Sequence, residues 1–231
     1  MKIFLFIIIS FIFILIISQF LFSQSTITIA FDDPPIGQGY TVSDNIITIE
    51  IGGPYELTSE QEDKSIIIST SCTIYSNNFN LINYENLTPL IIKENIAVEL
   101  ILVGESTLQD SVSNDNDGTI YLQKGASLTI SGEGTLNIIP NKYMAINGTN
   151  DTSLTVNGGE IQITSEANTV GGIYLKKEIN FNDANFFYNC ENGAHHAIDS
   201  EGPINLLKGE YSIYSGNGKE FNLKKIYKLE K

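Results

Sequence analysis

Short stretches in which apolar and polar residues alternate recur along the chain, and successive stretches resemble one another. The clearest pair is Leu128–Ile138, LTISGEGTLNI, and Leu154–Ile163, LTVNGGEIQI. A period of two, in runs rich in β-branched residues that Gly and Asn punctuate, predicts short β-strands. The pattern therefore predicts strands that repeat about once every 25 residues.

A small residue recurs two positions before an apolar one, and it marks seven copies of this repeat. The seven residues are Gly53, Asn77, Ser106, Gly134, Gly159, Ala184 and Gly209, with spacings of 24, 29, 28, 25, 25 and 25 residues. Each well-defined copy carries three apolar-x-apolar pairs, such as Ile120/Leu122, Leu128/Ile130 and Leu136/Ile138. Three short strands per repeat predict an all-β fold, a right-handed parallel β-helix of about seven coils over residues 46–218. An antiparallel sandwich is the main alternative, but it does not require residues of like size to recur in register.

The two ends of the chain differ from the repeats. Residues 1–24 hold one early Lys2 and a long apolar run, which predicts a secretory signal peptide with cleavage after Ser23 or Ser25. The alternative is an uncleaved anchor, since about 20 apolar residues can also span a bilayer. Both interpretations place the rest of the chain outside the cell or at its surface. Residues 25–45 are predicted to be a loop-rich lead-in that covers the first coil, and residues 219–231 a C-terminal cap or tail.

The charge balance excludes two classes of partner. The chain has 13 basic residues, all of them Lys, against 27 acidic ones, a formal net charge of −14. Such a surface repels nucleic acid and anionic membranes. Membrane association is then expected only if the N-terminal segment stays uncleaved. Neutral glycans, or acidic ones bridged by Ca²⁺, remain as partners.

The two cysteines fall in different coils of the predicted fold. Cys72 belongs to the second coil and Cys190 to the sixth, so roughly 19 Å separates them at ~4.8 Å per coil. A disulfide needs Cα atoms within about 7 Å of each other. We therefore predict no intramolecular disulfide, with Cys72 as a small inward filler.

A file of outward residues predicts a binding surface. If Ile120 and Leu122 face inward, Tyr121 faces outward, and the same logic turns Asn147, Tyr174 and Asp199 outward in later coils. Tyrosine rings two coils apart can stack on sugar rings while Asn and Asp bond sugar hydroxyls. We predict carbohydrate binding by Tyr121, Tyr174 and Asp199.

An Asx-rich turn is the candidate cation site. The run SNDNDG, Ser113–Gly118, places Asp115 and Asp117 where they could supply oxygen ligands to Ca²⁺. The turn lacks the distal bidentate Glu of a full calcium loop, and capping of the turn by Asx side chains is the alternative. No other cofactor is predicted.

Three Asn-x-Thr triplets are candidate glycosylation sites in a secreted chain. They begin at Asn86, Asn147 and Asn150. A glycan on Asn147 would sit in the middle of the outward file and block it.

The sequence predicts no catalytic residues. A lyase of this shape needs a base on its outer face, and the candidates Lys124, Lys176 and Lys177 have a simpler interpretation as solvated charges on turns. Glu133 and Glu160 recur near one corner together with Glu210, which indicates repetition and not a single acid/base pair. His195 and His196 have no third partner in the sequence, so we expect an exposed His195 and a half-buried His196.

The segment from Ile47 to Ser215 resembles a known family through several runs. These are GGPYEL from Gly52, VELILVGESTLQD from Val98, GTIYLQKGASLTISGEGTLNI from Gly118, SLTVNGGEIQIT from Ser153 and HAIDSEGPINLLKGEYSI from His196. They are similar to the extracellular carbohydrate-binding parallel β-helix family, which includes a clostridial cellulose- and pectin-binding protein. The resemblance implies a polysaccharide-lyase-like fold, calcium binding and carbohydrate binding without established lyase activity.

Together these observations predict a secreted, non-catalytic polysaccharide-binding protein, with calcium assistance left open. The first alternative is a structural or adhesive surface protein whose partner is another protein. The second is a polysaccharide lyase.

Overall fold

The computed structural model describes nine segments of the chain: residues 26–29, 38–84, 87–110, 117–141, 143–165, 167, 170–190, 195–215 and 226–229. The predicted signal segment 1–24, Asn86 and Asp115 lie outside the described residues. Every regular element in the described segments is a β-strand. Among these residues no helix is long and apolar enough to cross a membrane.

The strands are short, as the alternation predicts. They are β1 (Ile27–Thr28), β2 (Tyr40–Ser43), β3 (Ile46–Ile49), β4 (Pro54–Glu62), β5 (Ser65–Ile68), β6 (Cys72–Asn83), β7 (Leu90–Ile92), β8 (Ala97–Leu102), β9 (Glu105–Asp110), β10 (Ile120–Leu122), β11 (Ser127–Gly132), β12 (Thr135–Ile139), β13 (Met144–Gly148), β14 (Ser153–Val156), β15 (Glu160–Ser165), β16 (Gly171–Leu175), β17 (Glu178–Phe181), β18 (Asn185–Cys190), β19 (Ile198–Ser200), β20 (Ile204–Leu206), β21 (Tyr211–Ser215) and β22 (Ile226–Leu229).

These strands form two sheets. The eight-stranded sheet has the order β19-β16-β13-β10-β7-β5-β3-β2, and the larger, 14-stranded sheet has two arms. The first arm runs β8-β11-β14-β17-β20-β22 and the second runs β9-β12-β15-β18-β21. The long strand β6 joins the arms, because its residues 72–76 pair with β8 and its residues 80–83 pair with β9.

Each well-defined repeat contributes one strand to the eight-stranded sheet and one to each arm. The strands β10, β11 and β12 are followed by β13, β14 and β15, and each strand pairs in parallel with its counterpart in the next repeat. Like residues therefore stack: Leu128 pairs with Leu154, which pairs with Ile179. All three side chains are fully buried or nearly so, as expected for an inward file. The predicted all-β class with parallel, in-register repeats is confirmed.

The predicted alignment of two early repeat markers is wrong. Ser106 pairs with Leu136 and faces the core, so Gly104, and not Ser106, is the counterpart of Gly134. Gly53 precedes Pro54, which pairs with Thr73, so Gly53 does not align with Asn77 either.

A β-bulge lies close to these repeat markers. The register between β4 and β6 shifts after Thr58, which leaves Asn78 as an extra residue in β6 with φ of 53°. The backbone N–H of Phe79, just after the bulge, donates to the Oγ of Ser106 at 3.2 Å, and the hydroxyl of Ser76 donates to the same oxygen at 2.8 Å. A serine in an otherwise apolar file thus has a physical reason, because its hydroxyl oxygen accepts a hydrogen bond from the backbone beside the bulge.

The lead-in contains strands as well as loops. β1 pairs with β4, and β2 is antiparallel to β3 at the end of the eight-stranded sheet. The buried ring of Tyr55 ties this end together, because its hydroxyl donates to the carbonyl of Ile51 at 2.6 Å and to that of Gly39 at 3.2 Å. At the opposite end β22, within the predicted cap, pairs with β20.

Both cysteines are free thiols, as predicted. Cys72 is half-buried and packs against the core, and Cys190 is fully buried. Burial raises the pKa of the Cys72 thiol to about 11 and also raises the pKa of Cys190. Neither thiol has the lowered pKa that marks a reactive cysteine.

Candidate functional site

The four residues of the predicted outward file lie in register on consecutive strands of the eight-stranded sheet. Tyr121 pairs with Asn147, Asn147 with Tyr174, and Tyr174 with Asp199. Strand alternation positions them, because their neighbours at Ile120, Ile146, Ile173 and Ile198 are all fully buried. The tertiary structure therefore brings together the side chains that the pattern selects.

The middle of this file is more enclosed than expected. Asn147 is only 8 % exposed, between two half-buried tyrosines. Burial raises the pKa of Tyr121, and the negative charge of Asp117 raises it further. Its phenol is therefore neutral at physiological pH and can both donate and accept a hydrogen bond.

A pocket of about 230 Å³ lies at the Asp199 end of the file, and we call it the Tyr174 pocket. It is lined by Tyr143, Met144, Tyr174, His195, His196 and Asp199. Four of these side chains, the two tyrosines and the two histidines, are ring systems with flat faces, and Asp199 adds a hydrogen-bonding group at the rim. This combination of apolar faces and convergent polar groups is typical of a small-ligand site.

A contact across one intervening strand shapes the pocket. The rings of Tyr143 and His195 lie edge to face with 5.6 Å between their centroids, although Tyr143 precedes β13, His195 precedes β19 and β16 lies between. Gly171, the first residue of β16, makes room for this contact. A Cβ at Gly171 would lie 2.6 Å from the Cβ of His195 and 2.5 Å from the sulfur of Met144. A side chain at this position would displace Met144 or His195, both of which line the pocket.

A small charged network holds the hydroxyl of Tyr174. That hydroxyl donates to Glu201 Oε1 at 2.9 Å, and Lys176 Nζ lies 3.6 Å from the same oxygen. The pKa of Tyr174 rises to about 12, first because of burial and then because of the bond to Glu201 and the charges of Glu201 and Asp199. The phenol is therefore a neutral donor, and its ring is fixed in orientation.

The sequence did not identify all of these residues. Tyr143 lies just before β13 and Glu201 just after β19, so alternation within a strand leads to neither, and only the register of β13, β16 and β19 brings them to Tyr174. The expected exposure of the histidines is confirmed, since His195 is exposed and His196 is half-buried. The Nδ1 atom of His196 is buried and has no hydrogen-bond partner among the described residues.

The other predicted site residues lie away from this pocket. Asp117 is half-buried beside Tyr121, and the described part of the chain holds no group of three His, Cys, Asp or Glu side chains suited to a metal ion. Asn150 is exposed on a turn, whereas Asn147 is buried, so the structure favours Asn150 as the glycan acceptor of the two.

The residues considered for catalysis do not converge. Lys176 is paired with Glu201, and Lys124 and Lys177 are exposed. Glu160 pairs with Thr135 in the preceding strand and with Asn185 in the next, so Glu133 does not share its file.

A larger and more open groove of about 1010 Å³ runs along the outer side of the first arm near β1. Small residues such as Gly52, Gly53 and Ala97 form much of it, and Glu99 and Thr129 lie on neighbouring strands of its floor. Tyr75 is the one aromatic side chain among the described residues that line it. The Tyr174 pocket therefore has more ring side chains than this groove, in about a quarter of the groove's volume.

A family model described as carbohydrate-binding domain-containing protein matches residues 43–221, well over half of the 231-residue chain. The matched range contains the Tyr174 pocket and the whole of the outward file. No curated protein matches the chain, and no solved structure does either.

Proposed function

The chain belongs to the family of carbohydrate-binding domain-containing proteins, and on that premise we propose that it is a secreted, non-catalytic protein that binds polysaccharide through the Tyr174 pocket. The observation that carries this proposal is the in-register file Tyr121, Asn147, Tyr174, Asp199, which ends in a pocket with four ring side chains. The family match alone does not say which face of the protein binds sugar. The Tyr174 pocket supplies a candidate face.

The chemistry of the pocket suits a sugar ring. A pyranose presents C–H groups on its faces and hydroxyls around its edge, so it needs a flat apolar partner and hydrogen-bonding groups at the rim. The rings of Tyr143, Tyr174 and His195 supply the first, and Asp199 supplies the second.

The outward file extends the site beyond one sugar. Tyr121 lies two strands from Tyr174, roughly 9.6 Å at ~4.8 Å per strand. A sugar chain that enters the pocket can therefore continue along the sheet towards Tyr121. We propose that this face binds an extended chain and that the pocket grips one unit of it.

Calcium assistance remains a prediction. Asp117 is the one described member of the predicted pair, and the described residues offer no three-ligand group around it. The sugar contacts proposed for the Tyr174 pocket do not require calcium. Addition of EDTA tests the prediction, since a calcium-assisted site would lose affinity.

We also propose that the repeats wind as a right-handed parallel β-helix. Support comes from the parallel, residue-by-residue pairing of successive repeats in both sheets, and from the strong preference of parallel crossover connections for the right hand. A crystal structure tests this, and a left-handed winding would contradict it.

Binding to insoluble and immobilised polysaccharides tests the function. The native protein is expected to be retained by at least one of cellulose, xylan and polygalacturonate, and Tyr174→Ala is expected to weaken that binding about tenfold, equivalent to about 1.4 kcal/mol. Tyr84→Ala is the matched control, because Tyr84 is 56 % exposed and lies outside the pocket. Equal loss in both variants, or retention on none of the polysaccharides, overturns the proposal.

The same samples test the absence of catalysis. Incubation of polygalacturonate with the protein and Ca²⁺ is expected to leave ultraviolet absorbance flat, because no unsaturated uronate product forms. A steady rise in that absorbance would assign the protein to the lyases instead.

A further inference from the structure

A second cluster of outward aromatic and amide side chains lies on the second arm of the larger sheet. Phe187 on β18 and Tyr214 on β21 both point away from the core, and Tyr214 is 56 % exposed. They bound a shallow cavity of about 400 Å³ with Gln162, Thr164, Asn189 and Ser212. We call these six residues the Phe187 platform.

Register places the six side chains in two adjacent outward files. Gln162, Phe187 and Ser212 pair across β15, β18 and β21, and Thr164, Asn189 and Tyr214 pair two positions further along the same strands. Phe187 and Tyr214 are therefore diagonal neighbours, about 7–8 Å apart on a pleated surface. Two rings at this separation can contact two units of one oligosaccharide.

The platform and the Tyr174 pocket differ in charge. None of the described residues that line the platform is charged, whereas Asp199 lines the pocket. The carboxylate of Glu160 accepts a hydrogen bond from Gln162 of the platform, and it would repel an anionic chain. Ring faces with amides and hydroxyls, and no ionic partner, suit a neutral sugar chain. An anionic chain would find no cation there, in a protein whose net charge is −14.

We infer that the Phe187 platform is a second carbohydrate site, one that takes a neutral polysaccharide, and that the protein bridges two sugar chains. This inference rests on the proposed function of the Tyr174 pocket. The pocket belongs to the eight-stranded sheet and the platform to the second arm of the larger sheet, so the two sites occupy separate surfaces. A binder with two such sites gains avidity on a polysaccharide matrix and cross-links it.

Calorimetric titration of the full mature chain with two neutral probes, cellohexaose and maltohexaose, tests the inference. For the probe that binds, the native protein is expected to take two molecules, and Tyr174→Ala and the double variant Phe187→Ala/Tyr214→Ala one each. Thr107→Ala, an outward change on the same arm outside the platform, is the control and keeps two. Circular dichroism of each variant confirms that it is folded.

The outcomes separate the two proposals. A stoichiometry of one that Tyr174→Ala abolishes and the platform variant leaves intact overturns the second site while the proposed function stands. Binding that only the platform variant abolishes supports the platform and excludes the pocket as a site for neutral sugars. Absence of heat with both probes overturns the platform as a neutral-sugar site, and retention on polygalacturonate would then still support the pocket.

Discussion

The ring of Tyr143 contacts the imidazole of His195 edge to face, although the strand β16 lies between the strands that carry them. The contact is worth about 0.5–1.5 kcal/mol beyond simple burial. It exists because β16 begins with glycine at position 171. A Cβ there would clash with the sulfur of Met144 and with the Cβ of His195.

We therefore predict that Gly171→Ala weakens sugar binding by the Tyr174 pocket about three- to tenfold, equivalent to roughly 0.7–1.4 kcal/mol. The added methyl group displaces His195, whose Cβ would lie only 2.6 Å away. Titration with the saccharide that the native protein binds measures the change. Gly53→Ala is the matched control, because a Cβ there meets no atom closer than 3.9 Å. An unchanged affinity in Gly171→Ala would show that the Tyr143–His195 contact is irrelevant to the site.

We predict that Ser106 contributes more to the free energy of unfolding than the small size of its side chain suggests. It is 1 % exposed, and its hydroxyl oxygen accepts hydrogen bonds from Phe79 N–H and from Ser76. Ser106→Ala removes the buried acceptor that both donors use, at a cost of about 1–3 kcal/mol. Urea denaturation measures this loss, with the outward Thr107→Ala as control. Equal stability of the two variants would mean that water or a backbone shift replaces the lost acceptor.

Asp110 is predicted to make the stability of the fold depend on pH. It is 2 % exposed, and its carboxylate accepts a hydrogen bond from Thr119 at 3.0 Å and one from Asn141 N–H at 2.5 Å. Burial raises its pKa, and the two hydrogen bonds only partly offset that effect. The contribution of this group is then fully present below the unfolded-state pKa of about 3.9 and is lost as pH rises through the folded-state pKa.

The test is the free energy of unfolding of Asp110→Asn relative to the native protein, measured in urea from pH 4 upward. The neutral amide keeps an acceptor for Asn141 but lacks the buried charge, so the variant should gain stability relative to the native chain as pH rises. Asp151→Asn, on an exposed turn, serves as the control. A difference that stays constant across the pH range contradicts the prediction.

The thiols are predicted to react slowly in the native state and fully after unfolding. With a pKa of about 11, only about one Cys72 thiol in a thousand is ionised at pH 8, and Cys190 is fully buried. A thiol reagent such as DTNB measures both rates, and Cys72→Ser isolates the signal of Cys190. Two thiols per chain should titrate in guanidinium chloride. Fewer than two reactive thiols per chain under non-reducing conditions would reveal a disulfide and contradict the free thiols of the structure.

The sequence by itself determined the strand class, the parallel repeat and the outward position of Tyr121 and Tyr174. Strand alternation is a local property, and wherever the spacing stays at 25 residues, as from Gly134 to Gly209, the register follows from counting. The residues of the predicted sugar-binding file are therefore readable without a structure.

Only the tertiary structure decided the alignment of the early repeats and the shape of the pocket. A period-two pattern looks the same after a slip of two residues, so the pattern places Ser106 where the structure has Gly104. The rings of Tyr143 and His195 make contact across β16, where Gly171 carries no side chain. Such a contact depends on three strands held in register at once, and no local pattern in the sequence records it.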